Sequence, residues 1–146
     1  MNKLGKLIPA KIKMLHFTIL SGSINCPDGH SNENVENFEF DVDFNLGFNL
    51  DENLVKTKFK FKVETESKNQ EEATGNFHFV YWFEVENLDE LVIKGENDKE
   101  LVSPQLGNAL ASITYSTSRG ILMTRFQGTA LSNFILPVVD PNELLK

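Results

Sequence analysis

Few side chains in this 146-residue sequence are arranged for covalent or metal chemistry. The histidines are His16, His30 and His78, and the one cysteine is Cys26. Cys26 and His30 stand four apart in a segment rich in turn residues, a spacing that could offer two metal ligands. Zinc takes three or four protein ligands and no second pair lies nearby, so no metal or other cofactor is expected. The chain has no glycine-rich phosphate loop, CxxC, HExxH or GxSxG. The carboxylates Glu39, Asp41 and Asp43 recur at every second position, which sets them on the outer face of a strand. General acid–base catalysis needs a pocket, and that pattern gives a solvated face instead, so no enzyme is expected. What remains is apolar: 12 Phe against 2 Tyr and 1 Trp. Phe packs cores first. Where some of it stays uncovered, it can line a groove for apolar ligands or extended peptide.

The elements that carry these residues are legible in the patterning. From 38 to 50 every even position is apolar (Phe38, Phe40, Val42, Phe44, Leu46, Phe48, Leu50) and no odd one is. Period two over that length means a long, half-buried strand. After 51–54 the alternation resumes on odd numbers, with Val55, Thr57, Phe59, Phe61 and Val63 facing one side and Lys56, Lys58, Lys60 and Lys62 the other. A loop at 51–54 makes an antiparallel hairpin. The expected register sets Leu50 opposite Val55, Leu46 opposite Phe59, Phe44 opposite Phe61 and Val42 opposite Val63. On the outer face Asp43 then meets Lys62 and Asn45 meets Lys60, pairings worth about a few tenths of a kcal/mol each. Residues 77–85 read as a third strand. Its second face carries His78, Val80 and Trp82, which predicts a central strand covered there by another element or subunit. Residues 11–24 read as a further strand and 26–37 as a loop.

Residues 88–102 are mixed and read as a crossover. Ser103 and Pro104 then supply an N-cap and first-turn pair for a helix that Gly120 is expected to stop. Its apolar stripe is Leu106, Leu110, Ile113 and Thr117, and Arg119 is its one charge. Small uncharged side chains elsewhere on it predict that both faces are covered. Either a second copy of the chain supplies the second cover or the segment that follows the helix crosses it. The oligomer reading puts Leu106, Ala109, Ser112, Tyr115 and Ser116 in the interface. Residues 121–139 are apolar, broken by Gly128 and Pro137, and Asp140-Pro141-Asn142-Glu143 starts a helix that the sequence ends after one turn at Lys146.

Lys plus Arg is 14 and Asp plus Glu is 21, a net charge of −7 that argues against nucleic acid as a partner. With 40% hydrophobic and 24% charged residues the chain can build a core, and its length suits a single domain, 1–146. No apolar run approaches about 18 residues, so no membrane insertion is expected. Lys3, Lys6, Lys11 and Lys13 interrupt any secretory h-region. A single cysteine excludes an internal disulfide and fits the cytoplasm.

The order of elements, with Ser103-Pro104-Gln105-Leu106 through Tyr115-Ser116-Thr117-Ser118-Arg119-Gly120 and then Leu136-Pro137-Val138 and Asp140-Pro141-Asn142-Glu143-Leu144-Leu145, resembles the SecB family of protein-export chaperones. The resemblance implies an α+β fold, a four-stranded antiparallel sheet with a long helix packed on one face. It implies a homo-oligomer, a dimer of dimers, that binds unfolded polypeptide clients in apolar grooves without ATP or catalysis. Three departures accompany it. The family's final helix is nearly missing. The acidic positions with which members dock on the SecA motor fall here at Met14, Thr18 and Phe79, none acidic. The tail that serves the motor's zinc-contacting site has no counterpart. These departures argue against a SecA partner and make a specialised chaperone of an antitoxin an alternative to a general export role.

The reading is thus an ATP-independent holdase. Its groove is expected between the crossover and the 121–139 segment, lined by Leu91, Val92, Ile93, Leu122, Phe126, Leu131 and Phe134, each of which also has a core reading. The rival readings are a β protein curled round a small apolar ligand and a structural subunit with one fixed partner.

Overall fold

A computed structural model describes residues 5–145; Lys3 and Lys146 lie outside the described residues. Four strands, β1 (Ile12–Asn25), β2 (Val35–Asn49), β3 (Leu54–Ser67) and β4 (Thr74–Val85), form an antiparallel sheet in the order β1-β4-β3-β2. A small hairpin follows, β5 (Val92–Lys94) with β6 (Glu100–Val102). The long helix α1 (Pro104–Arg125) then packs on one face of the sheet, and a single turn, α2 (Pro141–Leu144), follows. This is the α+β architecture that the resemblance implied.

The β2–β3 hairpin forms as the alternation predicts, in a register two residues away from the expected one. Phe48 pairs with Val55, Leu46 with Thr57, Phe44 with Phe59 and Val42 with Phe61. The turn causes the difference. Asn53 takes a left-handed φ of 55° and donates its N–H to the Leu50 carbonyl at 3.3 Å. Asn tolerates that conformation better than Leu54 would, so the loop closes one residue early. A two-residue shift keeps every side chain on its face. Asp43 therefore still meets a lysine, Lys60, and Asp41 meets Lys62.

The core lies between β3, β4 and α1. Val55, Phe59, Phe61 and Val63 on β3 and Phe77, Phe79, Tyr81, Phe83 and Val85 on β4 are all buried. Above them lie Leu106, Leu110, Tyr115 and Leu122 of α1. Two buried hydroxyl pairs fix the helix on the sheet: Thr57 with Thr114 at 2.7 Å, and Tyr81 with Ser118 at 2.6 Å. The sheet-facing stripe therefore differs from the expected one beyond Leu110. Thr114 and Ser118 point inward, while Ile113 is 36% exposed and Thr117 is half-buried. Gly120 does not stop the helix either. An interior glycine costs about 1 kcal/mol relative to alanine, which a helix this firmly packed absorbs. The chain turns only after Arg125, where Gly128 adopts a φ of 78°.

Residues 126–134 fold back over the far end of the sheet. Phe134 meets Phe38, Phe40 and Phe61 at ring separations of 5.3, 5.4 and 5.8 Å, and Phe126 meets Phe77 at 5.9 Å. Leu131 comes so near β4 that a side chain at Gly75 would lie 2.8 Å from it, so any larger residue there would have to push Leu131 aside. The chain then runs along α1. The Tyr115 hydroxyl donates to the Pro137 carbonyl at 2.6 Å, and Arg119 Nε donates to the Leu136 carbonyl at 2.7 Å. One flank of the helix is thus covered by the segment that follows it. On the outer face of β4, Val80 lies between Thr18 and Lys58 in register, and the Lys56 ammonium sits 4.9 Å from the Trp82 ring centroid. Val80 is thus sealed by its neighbours in the sheet, while Trp82 stays half-buried beside Lys56.

Candidate functional site

The inner face of β2 is where apolar surface stays incompletely covered. Its residues Val42, Phe44, Leu46 and Phe48 are half-buried, whereas their β3 partners are sealed. β2 is an outer strand, and α1 lies over the middle of the sheet. Phe134 covers the Phe38–Phe40 end. Over the other end the cover is loose, leaving a cleft of about 570 Å3.

One wall of the cleft is Phe44, Leu46 and Phe48 of β2, and the other is Leu101 and Val102 of β6. Pro104 and Gly107 at the start of α1 and Leu144 and Leu145 from the final turn close its end, and Lys99 and Glu100 carry its charges. Local sequence sets each wall. Ser103 accepts the Leu106 N–H at 3.3 Å, starting α1 directly after β6 and fixing Leu101 and Val102 beside it. Asp140 caps the last turn by accepting the Asn142 N–H at 3.0 Å, and Leu145 packs toward Gly107, where a side chain would lie 3.4 Å away. Leu101 is 44% exposed. Such a cleft can take large apolar side chains, each worth about 1.5–3 kcal/mol on full burial before ordering costs. Among the described residues no strand lies beside the outer edge of β2, so an extended chain can also add to the sheet there.

The sequence-predicted groove residues are distributed differently. Leu91, Leu122, Phe126, Leu131 and Phe134 are buried in the core and do not line the cleft. Val92 and Ile93 are half-buried on β5, in register with Val102 and Leu101. The cleft lies between β2 and β6, at the end of the crossover, and the 121–139 segment does not line it. Phe44, Leu46 and Phe48 were visible as one strand face; their edge position depends on where β1 joins the sheet. Among the described residues no three His, Cys, Asp or Glu side chains gather into a metal-binding group.

No family model matches the chain, and no curated protein matches it in sequence. A solved structure does match: the Mycobacterium tuberculosis SecB-like chaperone Rv1957 in complex with a ChAD peptide from the HigA1 antitoxin. The match covers 89% of this chain and 91% of that one, at 14% identity and a TM-score of 0.54. The fold is SecB-like.

Within this SecB-like fold the residues assigned to an oligomer interface fall on two sides of α1. Leu106 and Tyr115 face the core. Ala109 and Ser112 are half-buried and Ser116 is exposed, near Ile113 and Met123, which are 36% and 42% exposed. Of the positions aligned with motor docking, Met14 is exposed and Thr18 half-buried, while Phe79 lies sealed beneath the sheet between the outward-facing His78 and Val80. Among the described residues no helix is long and apolar enough to cross a membrane.

Proposed function

We propose that this protein is an ATP-independent chaperone of the holdase type, which holds non-native polypeptide segments in the cleft between β2 and β6. The carrying observation is the half-covered apolar face of β2 opposite the exposed Leu101. The SecB-like neighbour solved with a bound peptide supports the same reading. Val92 and Ile93, on the strand paired with β6, would widen the surface when a client displaces Leu101. Holding needs neither catalysis nor nucleotide, because burial of client side chains supplies the free energy. The working form is a homo-oligomer in the cytoplasm. The uncovered side of α1 around Ala109, Ile113, Ser116 and Met123 and the outer strand β1, with Met14, Leu15 and Leu20 exposed, supply its contacts. A SecA partner forms no part of this reading, since an acidic docking surface is missing at Met14 and Thr18.

One observation favours a narrower variant, a chaperone dedicated to an antitoxin: the neighbour's bound peptide comes from one. The small-ligand reading finds less support, because α1 covers the middle of the inner face, where Phe59, Phe79 and Phe83 fill the space beneath it. The test is suppression of aggregation of a chemically denatured client. The intact protein should suppress it near stoichiometric ratios, and Leu101→Asp should abolish most of the effect while the far-UV spectrum stays unchanged. Absence of suppression at molar excess, with the oligomer intact, overturns the proposal. Suppression confined to one client class favours the dedicated form.

A further inference from the structure

The face of the sheet turned away from α1 carries an ordered charge pattern that the cleft does not use. Lys56, Lys58, Lys60 and Lys62 occupy successive outward positions of β3, about 6.8 Å apart along an antiparallel strand. None of the four makes an ion pair among the described residues, where the ion pair present joins Lys68 to Glu36 at 3.8 Å. Asp43 and Asp41 lie opposite Lys60 and Lys62 without closing to contact. Lys56 and Lys58 have no carboxylate opposite at all: their neighbours in register are Gly47 and Asn45 on β2 and Trp82 and Val80 on β4. Two depressions, of about 400 and 540 Å3, adjoin at Lys60, the second lined also by His78 and Asn76. The whole chain carries a net charge of −7, so this positive strip is a local arrangement and not a by-product of composition.

From this arrangement we infer that the outer face of the sheet docks an extended acidic segment of a partner protein, its carboxylates set against Lys56 and Lys58 and its apolar side chains against Trp82. An extended chain repeats its side chains on one face every second residue, the same spacing as the lysines. Alternate Asp or Glu residues therefore meet successive ammonium groups in step. The neutral floor at Gly47, Asn45 and Val80 leaves room for the backbone. A nucleic acid fits less well, because a phosphate at every nucleotide runs on past the lysines onto Glu39, Asp41, Asp43 and Glu64, whereas a short peptide segment can confine its carboxylates to Lys56 and Lys58. The surface lies on the opposite side of the sheet from the cleft and acts independently of whether the cleft holds clients.

Trp82 is the one tryptophan and lies beneath Lys56, so its fluorescence reports on the site. His78 gives a second signal. Burial and then the charges of Lys60, Lys58 and Lys56 hold its pKa below the ordinary histidine value, so carboxylates that neutralise those lysines will raise it. The experiment titrates the protein with a short peptide alternating Glu and Thr, the same peptide with Gln for Glu, and single-stranded oligo-dT. The Glu peptide should change Trp82 fluorescence saturably, raise the His78 pKa seen by NMR, and weaken with added salt. Lys56→Glu/Lys58→Glu should weaken it about tenfold or more and leave aggregation suppression unchanged. Lys56→Gln/Lys58→Gln serves if the charge reversal fails to fold, with a smaller loss expected. Equal binding of the Gln peptide, tighter binding of oligo-dT, or no saturable response to the Glu peptide overturns the inference.

Discussion

The hydroxyl pair between Thr57 and Thr114 permits a sharp test of how α1 is held on the sheet. Both side chains are fully buried, and each is the other's partner at 2.7 Å. Thr114→Val keeps the shape and removes the hydroxyl, stranding the Thr57 oxygen in an apolar layer. An unsatisfied buried hydroxyl costs about 1–3 kcal/mol, and Thr57→Val should cost the same for the same reason. The double variant replaces the polar pair by two methyl groups in contact. It should return to within about 1 kcal/mol of the wild type, because no group is left unpaired. At about 2–4 °C per kcal/mol for a chain of this size, each single change lowers Tm by several degrees and the double change by little. Urea titrations at one fixed protomer concentration measure the cycle, since self-association would add to apparent stability. If the double variant loses the sum of the two single losses, the pair is uncoupled and the hydroxyls do not set the helix position.

Further outcomes follow from the burial pattern. Burial raises the Tyr81 hydroxyl to about 12, against a smaller opposing effect of its Ser118 hydrogen bond. Its folded pKa thus lies above the unfolded value of about 10. The stabilisation is complete below pH 10 and is lost as pH climbs toward 12, by about 2–3 kcal/mol; denaturation across that window should lose this limb in Tyr81→Phe. Burial also pushes Tyr115 up, so it contributes in the same direction. Phe126→Ala should destabilise by about 3–5 kcal/mol as a core cavity, with client holding per folded molecule unchanged, read by urea titration beside the aggregation assay. Ile113→Asp should leave the monomer fold intact and lower the mass measured by light scattering, because it charges the uncovered side of α1.

Alternation at period two was enough to read β2, β3 and their faces, because a strand of that length leaves no other arrangement for its Phe residues. The register needed the conformation of one residue, Asn53, which hydrophobicity does not encode. The helix was legible at its start, where Ser103 and Pro104 carry specific capping chemistry, and illegible in its sheet-facing stripe. Ser118 reads as a surface residue until Tyr81 stands opposite it, and Thr114 falls outside the apolar stripe until Thr57 does. The expected groove residues were ambiguous for a different reason. Phe126, Leu131 and Phe134 have the composition of a binding surface and of a core alike. Only the fold-back after Gly128, which drops them onto Phe61, Phe77 and Gly75, separates the two.

The location of the cleft follows from widths. A helix with its side chains is about 10–12 Å across, while strands lie about 4.8 Å apart, so one helix seals about two strands and leaves the outer ones partly bare. Here β3 and β4 are sealed, and the inner faces of β1 and β2 stay half-buried. Phe17 and Ile19 of β1 still pack on the core. On β2, Phe134 covers one end and the short β5–β6 hairpin leans loosely over the other. The strict alternation that makes β2 a good strand therefore also guarantees that a row of Phe and Leu remains under partial cover. A chain whose apolar side chains fitted the helix footprint would carry no such cleft. The prediction is geometric: an added cover over β2, for instance a disulfide tying β6 to Phe48's position, should raise stability while it removes holding, and a gain in both would contradict the assignment of the cleft.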